Sequence, residues 1–198
     1  MVAEPVDQIV RSLGRAGGGG RWNEPTPGAP RRREPLPIPD PRDPRLVVER
    51  EVAKLVVQRP ALAGPVFDGL GEECFTSPAY AAIRAAVAKA GGAARSAGGS
   101  EWVTAVQEAA ETDAVRDLVT ELAVESLQSS ESEAPRYAKA VLVRLEEMAL
   151  TRRIQELKSK LQRLNPVESA AEYNRMFGEL IELERHKKGL RAKAVGEL

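Results

Sequence analysis

Apolar residues return every three or four positions through most of this chain, and no stretch alternates with period two long enough to predict a strand. Leu46, Val47, Glu49, Arg50, Val52, Ala53, Val56 and Val57 follow helical spacing in the first such run, which Pro60 stops. Asp43-Pro44 predicts its start, an acid at the N-cap with proline in the first turn. A short helix is predicted over 61–70. A third, from Ala79 to about Ala90, is predicted to be capped by Thr76-Ser77-Pro78, to face Tyr80, Ile83 and Val87 inward, and to end at Gly91-Gly92. Ser100 predicts a fourth start, with Trp102, Val103 and Val106 as its apolar face, and Thr112-Asp113 opens a fifth carrying Val115, Leu118, Val119, Leu122 and Val124.

After a Ser/Glu-rich loop at 126–133, Pro135 introduces a long helix predicted from Arg136 to about Leu164. Its first half carries one stripe, Tyr137, Val141, Leu145 and Met148; its second half carries another, Leu150, Ile154, Leu157, Leu161 and Leu164. The two lie nearly opposite each other around the helix, which predicts one helix serving two packing partners. Asn165-Pro166 turns the chain, and Tyr173, Met176, Leu180, Leu183, Leu190 and Ala194 resume heptad spacing, interrupted by Lys187, over about Val167 to Ala194. The short connection predicts antiparallel neighbours. The fold expected is all-α: a helical bundle over 45–149, a long helix leading out of it, and a C-terminal antiparallel helical hairpin over 150–198.

Ahead of the bundle, Val6, Ile9, Val10 and Leu13 make a two-turn amphipathic fragment, too short to be a stable helix alone. Residues 1–13 are therefore expected to be the end of a preceding domain in a longer protein, with Met1 added. Residues 14–44 hold four consecutive glycines and eight of the fourteen prolines, the composition of a disordered linker. Trp22 and the Arg31–Arg33 run stand out within it, though a solvated charge run and a lone exposed aromatic are commonplace in linkers.

The 198 residues carry 29 basic and 29 acidic side chains, so overall charge gives no pull toward nucleic acid or membrane. The distribution is uneven: residues 45–150 hold 11 basic and 16 acidic side chains, residues 151–198 hold 11 and 7. A single Cys (Cys74) and a single His (His186) exclude an internal disulfide and a Cys/His zinc site. Cys74 beside Phe75 reads as a buried structural thiol. Glu72-Glu73 and Glu146-Glu147 are sequence neighbours that splay over helix surface rather than face one another as an acid–base dyad. The glycine clusters at 17–20 and 98–99 lack the GxxxxGK[ST] context of a phosphate cradle. No run approaches the roughly 20 apolar residues of a membrane span, and a cytoplasmic protein is expected. No catalytic residue and no cofactor is assigned.

Chemistry being absent, the outer face of the last helix draws the functional reading. Gly178 and Gly189 lie three turns apart on the side away from the heptad, with Glu182 and Arg185 between them and Ile181 beside. Interior helical glycine costs about 1 kcal/mol relative to alanine, so two on one face suggest a close approach by a partner; drift of a surface position in a Gly/Ala-rich chain explains them equally well. The candidate contact residues are Arg175, Gly178, Glu179, Ile181, Glu182, Arg185, His186 and Gly189.

Leu46 to Pro60, an apolar run closed by Gln58-Arg59-Pro60, then Phe75 to Gly92 with Pro78-Ala79-Tyr80 and Ile83, and finally Leu145 to Pro166, Glu172-Tyr173-Asn174 and Phe177 to Leu180, together resemble the C-terminal, helicase-binding domain of bacterial DNA primase. The resemblance covers about 46–198 in pieces, and its signatures are diffuse helical patterns. It implies a bundle joined by a long helix to a hairpin that docks on the N-terminal domains of the hexameric replicative helicase, coupling primer synthesis to unwinding at the fork. It places the polymerase module's end at 1–13, and zinc and magnesium only in domains before this chain. In some members the domain also receives the acidic tail of single-stranded DNA-binding protein; the sequence pattern assigns no basic residues to that role. Contact positions are poorly fixed in this family, so none is carried over. Gly/Ala/Arg richness suits a high-GC actinobacterium. The alternatives are the N-terminal domain of a replicative helicase, which is expected to continue into a nucleotide-binding motor, and a nucleic-acid-binding helical module built on Arg31–Arg33 and the basic hairpin. The latter lacks interleaved aromatics, so little direct nucleic-acid binding is expected. The hairpin, with little core of its own, is expected to be mobile relative to the bundle.

Overall fold

The computed structural model describes residues 36–196, with side chains to residue 192. The amphipathic fragment at 1–13, Trp22 and Arg31–Arg33 lie outside the described residues. Pro35–Leu198 forms one compact unit. Seven α-helices build it among the described residues: α1 (Val47–Gln58), α2 (Pro60–Gly69), α3 (Pro78–Lys89), α4 (Gly99–Ala109), α5 (Asp113–Val124), α6 (Ala134–Leu161) and α7 (Ala170–Gly196). Short 3-10 turns at Glu72–Cys74 and Ala93–Arg95 follow α2 and α3.

Helix α1 is the axis of the bundle. Every residue from Glu49 to Val57 is buried, charged ones included, the pattern of a helix surrounded on all sides. Around it α2 to α5 and the first half of α6 contribute one continuous core, including Phe67, Tyr80, Ile83, Val87, Trp102, Val106, Leu118, Leu122, Leu142 and Leu145. The Trp102 indole N–H donates to the Val56 carbonyl at 3.0 Å, which satisfies the one polar atom of that buried ring. Proline at the start of α2 ends α1, and α2 is itself kinked at Gly64 (φ 42°, ψ −142°) ahead of Pro65.

Local signals act largely where the sequence places them. Gly91 and Gly92 both adopt positive φ. Their amides return to the carbonyls of Ala88 (3.1 Å) and Val87 (3.0 Å), the double bond of a Schellman terminus. Thr112 caps α5, its hydroxyl accepting from the Val115 amide at 3.4 Å. Two caps differ from expectation. Asp43 accepts from the Arg45 amide at 2.9 Å in a turn, and α1 begins only at Val47. At α3 neither Thr76 nor Ser77 caps the helix with its own side chain. Instead Glu49, wholly buried in α1, accepts from the Thr76 amide and hydroxyl (2.8 and 2.5 Å) and the Ser77 amide (3.0 Å). A carboxylate from another helix satisfies those donors better than a short local hydroxyl. Val124 also departs from expectation: it is 84% exposed at the end of α5.

Helix α6 changes its buried face in mid-course. Ala138, Leu142 and Leu145 are buried in the bundle, and Ile154 and Leu157 are buried outside that core. The expected bundle stripe was one position out of phase. Tyr137, Val141 and Met148 are half-buried flanks, because small Ala138 lets α6 approach more closely than the larger side chains do. The two faces therefore differ by roughly 120°, at 100° per residue, rather than being nearly opposite. The helix is continuous through this change of client.

Helices α6 and α7 form an antiparallel hairpin. Its connection is longer than the tight junction expected, spanning residues 162–169, with the Asn165 side chain accepting from the Val167 amide (3.0 Å) and the Asn165 carbonyl accepting from the Ser169 amide (3.0 Å). Met176 is buried with Ile154 and Leu157, and Tyr173, Leu180, Leu183 and Leu190 are half-buried along the same face. Leu36 packs on the bundle core and Pro39 is buried, so residues read as linker join the folded unit.

Candidate partner-docking site

Three ion pairs and a histidine–carboxylate contact tie α7 to α6: Arg153–Glu179 (2.6 Å), Lys158–Glu184 (2.8 Å) and Arg191–Glu147 (2.5 Å), with His186 Nε2 at 3.1 Å from Glu146. Hydrogen bonding from Lys158 holds the Glu184 carboxyl below its ordinary range, and Arg191, then Arg144, does the same for Glu147. These contacts divide the candidate residues of α7 into three groups. Glu179 and His186 are engaged within the hairpin. Gly178, Glu182, Arg185 and Gly189 point directly away from it, with Arg185 paired to Glu182 at 2.7 Å. Among the described residues a Cβ on either glycine would meet nothing within 4 Å, so none of them requires glycine there. Arg175 is exposed beside this face.

Ile181 belongs to a third group that the spacing did not single out. Tyr173, Phe177 and Ile181 follow at i, i+4 and i+8, a line that drifts from the hairpin seam onto the surface. The Tyr173 and Phe177 rings stack at 6.2 Å, nearly parallel at 9°. Phe177 is 46% exposed and Ile181 45% exposed. A large aromatic and a branched aliphatic one turn apart, both half out of water, form an apolar ledge on an otherwise charged helix. Val167, 87% exposed, lies in the hairpin's connecting turn. The signal for Phe177 was present in the sequence as an apolar residue one step off the heptad, where it read as neither core nor polar face.

On another side, a groove of about 870 Å3 opens between the bundle and the base of the hairpin. Pro37, Ile38, Leu46 and Pro78 from the bundle side and Met148 from α6 give it apolar walls. Arg45, Arg144, Arg152, Lys187 and Arg191 surround them, against Asp43, Glu49 and Glu147. Arg152 donates to the Cys74 carbonyl at 2.6 Å and pins α6 to the turn after α2. Cys74 itself is buried, and desolvation pushes its thiol up, as suits a structural residue. Among the described residues no group of three or more His, Cys, Asp or Glu side chains could hold a metal ion, and no helix is long and apolar enough to cross a membrane.

The family described as DNA primase DnaG DnaB-binding matches residues 49–176. DNA primase of Mycobacterium tuberculosis is 45% identical over 159 residues, which cover 80% of this chain and 25% of the relative. DNA primase of Mycolicibacterium smegmatis is 42% identical over 200 residues, covering 96% of this chain and 31% of the relative. The chain thus spans between a quarter and a third of the length of these curated relatives. A solved structure, the helicase binding domain of primase from Mycobacterium tuberculosis, superposes with a TM-score of 0.61 at 44% identity, covering 76% of this chain and 94% of that one.

Proposed function

The chain belongs to the DnaB-binding family of DNA primase DnaG, and on that membership we propose that it is the non-catalytic module by which a primase docks on its hexameric replicative helicase. The observation that carries the docking surface is the ledge of Phe177 and Ile181, with Gly178, Glu182, Arg185 and Gly189 on the adjoining outward face. Completing the burial of two half-exposed apolar side chains supplies about 1–3 kcal/mol, and a pair of such anchors is the usual nucleus of an interface. The polar residues beside them serve register and partner choice more than affinity. The parent polypeptide would then make RNA primers while this module holds it at the fork, in the cytoplasm beside the nucleoid.

The test is a calorimetric titration of the chain into the replicative helicase of the same organism. Phe177→Ala and Ile181→Ala together are expected to weaken binding by about tenfold or more with little change in melting temperature. Unchanged affinity would move the interface off this ledge.

The basic, apolar-walled groove favours a second reading, compatible with the first: it receives the acidic C-terminal tail of single-stranded DNA-binding protein. Arg152, bonded to the Cys74 carbonyl, and Lys187, which also acts on the Glu184 carboxylate, bring positive charge to the apolar walls. Lys187→Ala is expected to weaken binding of that tail peptide while leaving helicase affinity unchanged.

A further inference from the structure

Not all of the groove's positive charge is available to a ligand. Arg191 places both Nε (2.6 Å) and Nη2 (2.5 Å) on the same oxygen of Glu147. Arg144 reaches the other oxygen at 3.3 Å. Glu147 is tucked in, with its side chain 16% exposed, whereas Arg191 is 63% exposed and lines the groove. The carboxylate is held deprotonated by these two guanidiniums.

We propose that Glu147 is a built-in competitor for the groove: its carboxylate occupies the Arg191 fork that an acidic peptide must win, and so sets the threshold at which the groove fills. The inference rests on the acidic-peptide reading of the groove. Arg152 and Lys187 attract the ligand, because neither is locked to a carboxylate of the groove as Arg191 is. The Arg191 guanidinium, the group best suited to grip a ligand carboxylate, is already engaged internally, two of its N–H groups converging on one Glu147 oxygen. An entering aspartate or glutamate exchanges Arg191–Glu147 for Arg191–ligand. Since Arg191 stands near the end of α7 and Glu147 on α6, that exchange also releases one of the three ion pairs that hold the hairpin closed.

Glu147→Gln keeps an amide oxygen able to accept from Arg191 and removes the competing charge. The experiment titrates the full chain with the C-terminal acidic peptide of the single-stranded DNA-binding protein of the same organism, in wild type, Glu147→Gln and Glu156→Gln. Glu156 lies on the same helix, pairs with Arg153 at 3.6 Å and does not line the groove, so its variant makes the same change in net charge elsewhere. Glu147→Gln is expected to bind roughly 3- to 5-fold more tightly, the worth of one half-exposed ion pair, with Glu156→Gln like wild type. An affinity for Glu147→Gln equal to or below wild type, or an equal gain in Glu156→Gln, would overturn the proposal while leaving the groove reading intact. No binding by any of the three proteins would overturn the groove reading itself, and the proposal with it. A gain seen with a single-stranded oligonucleotide but not with the peptide would assign the arginines to phosphate and overturn it as well. Circular dichroism and a thermal melt verify that each variant is folded.

Discussion

The bundle and the hairpin use the same charged residue types to opposite ends. In the bundle, Arg50 and Lys54 are sunk beside the axis of the domain, and each meets its partners across the core. Arg50 reaches Glu121, Glu125 (both 2.5 Å) and the Tyr80 hydroxyl (3.3 Å). Lys54 pairs with Glu51 and Glu125 and donates to the Ser126 carbonyl at 3.0 Å. Gln58 adds bonds to the carbonyls of Leu122 and Glu125 (2.5 and 2.6 Å). Three successive turns of α1 thereby cap the C-terminal end of α5. In the hairpin the ion pairs lie at the surface, between two helices whose shared core is three buried side chains and a flanking row. Buried pairs fix one arrangement because breaking them strands a charge; exposed pairs bias an arrangement that can still open. The bundle is built to stay, and the hairpin to be held.

Removing the ammonium in each region gives the sharpest contrast. Lys54→Ala strands the buried carboxylate of Glu51, itself bonded to the Tyr137 hydroxyl at 2.5 Å, and is expected to cost about 3–5 kcal/mol. Lys158→Ala opens an exposed pair and is expected to cost under about 1 kcal/mol. Urea unfolding of both variants decides it, and similar costs would erase the distinction. Next in size is the difference in local opening. Amides of α7 are expected to exchange roughly a hundredfold faster than those of α1, as read by hydrogen–deuterium exchange; uniformly slow exchange across 150–192 would make the hairpin as rigid as the bundle.

Acid is expected to act on both regions, through Glu125 in the bundle and through Glu147 and Glu184 in the hairpin. Hydrogen bonding from Arg50, with Lys54 adding to it, holds the Glu125 carboxyl below its ordinary value of about 4.3. A depressed folded-state value contributes stability that is complete above that ordinary value and is lost as the pH falls through the depressed one. Melting temperature is therefore expected to fall below about pH 4, and Glu125→Gln is expected to flatten that part of the profile. The smallest effect is a gain. Gly178→Ala and Gly189→Ala, each with open space around the new methyl, are expected to stabilise α7 by about 1 kcal/mol apiece. If the same variants leave helicase affinity unchanged, the glycines have no part in docking.

Much of this architecture was written in spacing and stop signals: Pro60, Gly91-Gly92, Thr112 and Pro135 mark real ends, and the heptad of α7 marks its inner face. What escaped was decided at long range. Arg50 and Lys54 look like a polar face until Glu121 and Glu125, some seventy residues on, take them into the core. Glu49 caps α3 from another helix, a role no local pattern carries. In α6 Leu145 is inward as its spacing predicts, but Ala138 and Leu142 replace Tyr137 and Val141 on that face, and the Tyr137 hydroxyl donates to Glu51 instead. At the candidate site, Ile181 was legible as a surface apolar residue; Phe177 needed the structure, since one step off a heptad is a position that either side can claim. The groove draws on four separate segments and has no signature in any of them.

The continuous course of α6 through its change of client has a consequence for how the ledge is aimed. At 1.5 Å per residue its 28 residues make a rod about 42 Å long, whose side chains are buried in the bundle core up to Leu145 and in the hairpin core from Ile154. Between those two cores, residue count is bearing. One added residue would swing the hairpin by about 100° around the rod, whereas four would swing it by only about 40°. The compass heading of the docking face is stored as an integer, the number of residues between two buried side chains, and a single inserted codon would turn it through more than a right angle without altering one contact residue.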